Sequence, residues 1–167
     1  MTDTRAPLLQ DLPASFDSGP EWLRSLRGRA AEVLRTRGLP THKTEAWRFT
    51  PPKRLVDVSL ARAEVEAPQL TSPIPDGVTV RSLRDALGGN PELLQGKLGL
   101  AGEPEHFAAL NTALFTDGLW IDVPTGHAVE APIEVAHALG APGVSYPRLL
   151  VTVGEGAELT LIETYET

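Results

Sequence analysis

The clearest periodic pattern lies near the start of the chain. Apolar residues recur there at intervals of three and four, which puts them on one side of a helix: Trp22, Leu23, Leu26, Ala30, Val33 and Leu34. Ser18 and Glu21 have the spacing of a capping box, and Gly38 followed by Pro40 is typical of a helix end. The pattern therefore predicts an amphipathic helix over residues 20–37.

The middle of the chain mixes short apolar runs with prolines and glycines. Residues 67–76 contain three prolines and predict an extended connector, followed by a short strand over 78–81. Apolar spacing predicts short helices at 82–87 and 91–98 and a longer helix at 104–115, which Asp117-Gly118 would end.

From residue 117 the apolar positions change to a period of two, which is typical of strands. The alternating residues are Leu119, Ile121 and Val123, then Ile133 and Val135, then Leu149, Val151 and Val153, and finally Leu159 and Leu161. Glycine-containing turns separate these runs at 124–126, 140–143 and 154–156. Evenly spaced short strands are compatible with a sandwich, a barrel or a β-solenoid, and periodicity does not choose among them.

The composition restricts the chemistry of the protein. None of the 167 residues is cysteine, so disulfides and a cluster held by this chain's own thiolates are excluded. The polar start resembles neither a signal nor a transit peptide, and no stretch approaches the ~20 apolar residues of a membrane helix. We expect a soluble cytoplasmic protein.

The charge is distributed unevenly along the chain. Residues 1–60 hold ten Lys or Arg against seven Asp or Glu, whereas residues 61–167 hold five against fifteen. The basic first helix suggests a nucleic-acid-binding module as one alternative. Acidic residues interrupt the basic ones and no series of aromatic residues accompanies them, so a solvated helix face is the preferred interpretation.

The histidines and motifs give little sign of catalysis. A phosphate-binding loop and a Gly-x-Ser-x-Gly elbow are both missing from the sequence, which argues against ATP hydrolysis and esterase chemistry. The four histidines, His42, His106, His127 and His137, lack the spacing of a local zinc pair. Stacked strands could bring His127 and His137 together with Asp122 or Glu130, although polar loop histidines are the preferred interpretation.

Carboxylates and tryptophans also admit two interpretations. Asp117 and Asp122 flank a strand like a glycosidase pair, but Asp117 precedes Gly118 and turn chemistry explains it. Among the tryptophans, we expect Trp22 in the core, Trp47 buried where it holds its segment against the body, and Trp120 half exposed.

Several segments resemble the SufD-type proteins of iron–sulfur cluster assembly. Residues 38–50, Gly-Leu-Pro-Thr-His-Lys-Thr-Glu-Ala-Trp-Arg-Phe-Thr, resemble the segment that follows the first helix in this family. Further segments resemble the family in the right order, at 107–113, 117–124, 132–135, 148–151 and 154–163. Lys43, Glu45 and Trp47 are markers of the resemblance and receive no functional role from it.

The resemblance implies an α+β fold, with an N-terminal helical region followed by the first coils of a right-handed parallel β-helix. We expect a mobile segment at 1–19, the helical region and connector at 20–116, and the start of the β-helix at 117–167. We also expect the family's sequence to continue beyond Thr167.

The implied function is a non-catalytic scaffold in iron–sulfur cluster assembly. It would act with a SufB-like paralogue and a SufC-like ATPase. No catalytic, cofactor-binding or metal-binding residue is expected in this chain, because the full complex would handle the cluster. A β-solenoid enzyme acting on carbohydrate or acyl substrates remains the alternative. The uncovered strands at 146–163 also predict self-association into a homodimer.

Overall fold

The computed structural model describes residues 6–50, 52–53, 67–99, 105–138 and 143–166. The helices in this part of the chain are α1 (Glu21–Arg37), α2 (Leu83–Gly89) and α3 (His106–Leu114), with single 3-10 turns at Pro7–Leu9, Glu45–Trp47 and Pro91–Leu94. The strands are β1 (Gln69–Leu70), β2 (Thr79–Ser82), β3 (Gly118–Val123), β4 (Ile133–Ala138), β5 (Arg148–Val153) and β6 (Leu161–Glu166).

The chain forms two compact units that alternate along the sequence. The first consists of Met1–Arg62 and Gly99–Leu114, and the second of Ala63–Leu98 and Phe115–Thr167. The domain boundaries expected from the resemblance stay a prediction. No helix in the described ranges has the length and apolar character needed to cross a membrane.

Helix α1 confirms the strongest prediction, although its start differs. The helix begins after Pro20, and no side chain caps its first turn, so the predicted capping box at Ser18 is wrong. The Pro20 carbonyl instead accepts the first amide bonds, from Leu23 and Arg24. The end is as predicted, because Gly38 adopts φ +64° and donates its N–H to the Leu34 carbonyl at 2.8 Å.

Helices α1 and α3 pack together in the first unit. Each contributes a stripe of buried alanines and leucines, which are Leu23, Ala30, Ala31 and Leu34 of α1 and Ala109, Leu110, Ala113 and Leu114 of α3. A polar bond joins the end of α1 to the start of α3, where His106 Nδ1–H donates to the Gly38 carbonyl at 2.9 Å. The stripe predicted for α1 is thus buried at Leu23, Ala30 and Leu34, whereas its other members are only partly buried: Trp22, Leu26 and Val33.

The second unit contains two three-stranded sheets, with the strand orders β2-β3-β5 and β1-β4-β6. β3 and β5 are parallel, in a register that runs from Gly118 opposite Arg148 to Val123 opposite Val153. β4 and β6 are also parallel, whereas β1 and β2 run antiparallel to their partners β4 and β3. Both sheets are therefore mixed and open.

This topology corrects the expected fold class. The described residues contain three helices and two small mixed sheets, and they do not form a right-handed parallel β-helix. The physical cause lies in residues 69–82, which the sequence predicted as a connector and a short strand. Within this range, β1 pairs antiparallel with β4, and β2 pairs antiparallel with β3. Each sheet therefore has one antiparallel edge strand, and neither sheet is purely parallel or closed.

Apolar residues from both sheets form one core cluster. Its buried members are Val78, Leu119, Ile121, Val123, Val129, Ile133 and Val135. Leu149 and Leu161, from the outer strands β5 and β6, are only partly buried against this cluster. The core is therefore best covered at β3 and β4 and less covered at β5 and β6.

Two glycines allow the close approach of successive segments. A Cβ on Gly118 would overlap the carbonyl oxygen of Arg148, its register partner on β5. A Cβ on Gly154 would overlap the backbone of Thr125, because the turns that contain these two residues lie against each other. Substitution at either position would therefore push neighbouring backbones apart.

Candidate functional site

A polar cluster lies across strands β4 and β6, and we call it the histidine cluster: His137, Glu163 and Tyr165. The parallel register places His137 opposite Tyr165, with Glu163 two residues before it on β6. His137 Nε2–H donates to Glu163 Oε2 at 2.9 Å, and the Tyr165 hydroxyl donates to the same oxygen at 3.2 Å. The two rings stack with their centroids 4.4 Å apart and their planes 9° from parallel.

The burial of His137 limits what this cluster can do. His137 is only 5% exposed, and its Nδ1 has no hydrogen-bond partner in the described part of the chain. A metal on Nε2 would move the proton to Nδ1, where a buried N–H would lack an acceptor. With Nε2 bonded to Glu163 and Nδ1 buried, neither nitrogen is presented to a substrate. The geometry fits a bond between strands better than a ligand or a general base.

The hydroxyl of Tyr165 has a raised pKa. Burial, together with the negative charge and hydrogen bond of Glu163, raises the pKa of its hydroxyl above the usual value. The shift favours the neutral phenol, which is the form that donates to Glu163.

The structure does not join the histidines that the sequence considered together. His127 lies against Gly77, because a Cβ added to Gly77 would be 3.3 Å from Cε1 of the His127 ring. His137 instead meets Glu163, which follows it by 26 positions. The described residues contain no group of three or more His, Cys, Asp or Glu side chains that could hold a metal ion. No local sequence signal could have identified Glu163 as the partner of His137, because the register of β4 and β6 determines which residues meet.

Asp117 has a structural role at the start of β3. Its Oδ1 accepts bonds from the Gly118 amide at 2.7 Å, the Arg84 amide at 3.1 Å and the Ser82 hydroxyl at 3.0 Å. Ser82 in turn caps α2 by accepting from the Asp85 amide. These bonds give Asp117 a structural role between β2, α2 and β3, although the residue lies outside any turn of the described structure.

Asp122 belongs to a separate chain of bonds. Trp120 Nε1–H donates to Thr152 Oγ1 at 3.0 Å, and the Thr152 hydroxyl donates to Asp122 Oδ1. The Lys97 ammonium lies 5.1 Å from the centre of the Trp120 ring. Trp120 is only 4% exposed, so the prediction that it is half exposed is wrong.

The segment that carries the family markers is a series of turns in the first unit. Backbone amides of Thr44, Trp47, Arg48 and Thr50 each donate to the carbonyl three residues earlier. Trp47 is partly buried and meets Phe107 edge to face, with 5.3 Å between the ring centroids. Lys43 and Glu45 are exposed. The contact with Phe107 is the kind expected of a residue that holds its segment in place, but the predicted burial of Trp47 is wrong, because the side chain is only partly buried.

The middle of the chain matches a known family. Residues 57–135 match the family model described as the SufBD protein N-terminal region. This range includes β1 to β3 and α2 and α3, together with the first part of β4.

Curated relatives agree with this match. An iron–sulfur cluster assembly SufBD family protein of Synechocystis sp. is 35% identical over 94 residues, covering 53% of this chain and 19% of that protein. A second protein of the same description and organism is 28% identical over 172 residues, covering 83% and 38%. The protein ABCI7, chloroplastic, of Arabidopsis thaliana is 26% identical over 201 residues, covering 96% and 41%.

The chain thus spans between about one fifth and two fifths of the length of these relatives. The family match and the relatives confirm the resemblance that the sequence motifs indicated. Over residues 57–135 the chain is therefore similar to the N-terminal region of the SufB/SufD family.

Proposed function

We propose that this chain acts in iron–sulfur cluster assembly as part of a non-catalytic scaffold subunit of the SufD type. The observation that carries the proposal is the match of residues 57–135 to the SufBD N-terminal region. Two of the relatives are themselves described as iron–sulfur cluster assembly proteins.

The scaffold role is supported by how the polar side chains are used. His137, Asp117 and Asp122, the strongest catalytic candidates, are all engaged in bonds that hold neighbouring elements together. The SufD type, rather than SufB, is supported by the marker segment around Lys43, Glu45 and Trp47, which lies outside the matched range. A scaffold needs shape and surface rather than an activated nucleophile.

The proposed partners are a SufB-like paralogue and a SufC-like ATPase, in the cytoplasm. Since residues 1–167 contain no cysteine, thiolate ligands for a cluster would have to come from outside this chain. Since it has no phosphate loop, ATP hydrolysis would belong to the ATPase subunit.

A depletion experiment tests the assembly role. The natural protein that contains this chain is depleted from its own cells, and the activity of an iron–sulfur dehydratase is compared with that of a cluster-free dehydrogenase. We expect only the cluster enzyme to lose activity, with recovery after re-expression. Unchanged dehydratase activity, including under iron limitation, would contradict the proposal.

A purification experiment tests the partners. The tagged natural protein is isolated from its cells and its bound proteins are identified, with residues 1–167 alone as the comparison. We expect the natural protein to retain an ATPase subunit and a paralogue, and the isolated chain to retain no ATPase. Retention of the ATPase by residues 1–167 would place the docking surface within this chain.

A further inference from the structure

A basic segment with an exposed aromatic ring lies in the first unit. Between residues 37 and 53 the sequence holds one carboxylate, that of Glu45, against four Lys or Arg side chains, which are Arg37, Lys43, Arg48 and Lys53. All five side chains are exposed. The whole chain has a net charge of −7, so this segment is a local exception to its acidity. We call Lys43, Arg48 and Phe49 the basic corner.

The backbone around the basic corner is ordered. The amides of Thr44, Trp47 and Thr50 each donate to the carbonyl three residues earlier. The Trp47 ring also meets Phe107 of α3, with 5.3 Å between the ring centroids. Side chains on an ordered segment lose less conformational freedom on binding than side chains on a mobile loop. The corner is therefore preorganised to receive a partner.

Arg48 and Phe49 together have the chemistry of a site for a carboxylate beside an apolar group. Phe49 is 88% exposed, and the Arg48 guanidinium lies 5.4 Å from the centre of its ring. The ion pair of Arg48 with Glu45, at 3.9 Å, is solvent-exposed and therefore weak, so another carboxylate can replace it. A guanidinium binds a carboxylate through two parallel hydrogen bonds. A lone exposed ring is common on protein surfaces, but arginine and aromatic residues together are enriched at protein interfaces.

The charges and rings of the chain decide between two kinds of partner. Single-stranded nucleic acid binds where several exposed aromatic rings accompany the cations. Among the described residues 38–50, Phe49 alone is an exposed ring, because Trp47 is engaged with Phe107. The net charge of −7 also repels a long chain of phosphates. A short acidic protein segment fits better, since it carries fewer charges and can supply an apolar side chain to Phe49.

We propose that the basic corner binds an acidic segment of another protein, in which carboxylates flank an apolar side chain. Charge complementarity supports this occupant, because the corner is a positive site on an otherwise acidic chain. The carboxylates pair with Arg48 and Lys43, and the apolar side chain covers Phe49. Covering the ring also excludes water beside Arg48, which strengthens the ion pair. This binding goes beyond the proposed assembly role and does not depend on it.

Photo-crosslinking in cells tests the occupant. The photoreactive amino acid p-benzoylphenylalanine replaces Phe49 in the natural protein that contains this chain, and the crosslinked peptide is identified by mass spectrometry. We expect a segment of another protein that is rich in Asp and Glu around an apolar residue. The same amino acid at Ile74, a side chain that is 53% exposed in the second unit, is the matched control and should not crosslink to that segment.

Fluorescence anisotropy of a defined probe tests the chemistry. The probe is a fluorescein-labelled peptide of repeated Glu-Glu-Leu units, titrated with the purified chain. K43E/R48E should raise the dissociation constant by at least about tenfold, and F49S by about tenfold. A peptide with Gln in place of Glu should not bind. Raising the salt from about 0.05 to 0.5 M should weaken binding of the acidic peptide, since salt screens its charges.

Matched variants separate the basic corner from net charge. R24E/R29E makes the same charge change at two other exposed arginines of the first unit and should bind the peptide like the wild type. I74S should also leave binding unchanged. Equal weakening by R24E/R29E and K43E/R48E overturns the proposal, as does tighter binding of single-stranded oligothymidylate than of the peptide. So does a Phe49 position that gives no crosslink, or crosslinks only to its own polypeptide, a second copy or a segment without excess acid.

Discussion

Trp120 shows why residue burial was harder to predict than strand position. Its alternation with Leu119 and Ile121 correctly assigned it to the opposite face of β3. Period-two patterns identify the two faces of a strand but do not say whether the second face is covered. Here Lys97 lies over the indole ring and Thr152 accepts its N–H, so the second face is buried as well.

Trp47 carries the first residue-scale prediction. Trp47→Ala removes a partly buried ring and its edge-to-face contact with Phe107, so we expect it to lower the free energy of unfolding by about 2–3 kcal/mol. Denaturant unfolding measures the change. Phe49→Ala is the matched control, since a ring that is 88% exposed should cost less than about 0.5 kcal/mol. Equal stability of the two variants would show that Trp47 does not anchor its segment.

Tyr165 carries a prediction about pH. Burial and Glu163 raise the pKa of its hydroxyl, so the folded chain holds this proton more tightly than the unfolded chain does. The resulting stabilisation is present below the usual tyrosine pKa of about 10 and is lost as the pH rises through the raised value. Ultraviolet titration in a Tyr146→Phe background follows the phenolate. Glu163→Gln should lower the Tyr165 pKa, and an unchanged titration would contradict the bond between them.

A helix or strand could be predicted from the sequence wherever the apolar residues of a segment follow a single clear period. Helices α1 and α3 and strands β3 and β5 were predicted close to their observed bounds. Strand β4 extends beyond the predicted run at 133–135, and β6 spans Leu161–Glu166 rather than the predicted run at 159–161. The 91–98 segment was predicted as a helix, but only Pro91–Leu94 forms a 3-10 turn. Strand β1 was missed, because two residues in a proline-rich connector have no measurable period. Its identity as a strand depends on pairing with β4, which is a tertiary contact.

The outer strands carry the element-scale prediction. Among the residues that the structure describes, β5 and β6 each pair with one strand, and most of β6 is exposed, whereas α1 has a buried stripe against α3. Amide hydrogen exchange in the monomeric chain should therefore be faster over 161–166 than over the centre of α1. Equal protection of both segments would mean that the β6 edge is covered in solution.

The whole molecule shows where motif resemblance succeeds and where it fails. Segments of this sequence in the family's order identified the SufB/SufD family correctly. The same resemblance gave the wrong fold class, since it carried no information about how residues 69–82 pair with β3 and β4. The histidine cluster was equally hidden, because the parallel register of β4 and β6 joins His137 to Glu163 and Tyr165 across a segment that contains β5. Long-range register depends on the packed core and not on local sequence.

The last prediction concerns metal binding by the whole chain. We expect the purified protein to be colourless and without stoichiometric metal, also after anaerobic incubation with iron and sulfide followed by desalting. Without cysteine there are no thiolates to hold a cluster, and the buried Nδ1 of His137 disfavours a metal at its Nε2. Elemental analysis for iron and zinc, combined with visible absorption, measures the outcome. A His137→Gln variant should give the same result as the wild type. One metal ion per chain that survives chelator treatment would contradict the prediction and reveal a set of oxygen and nitrogen ligands. If the His137→Gln variant lost that metal ion, the ligands would lie at the histidine cluster.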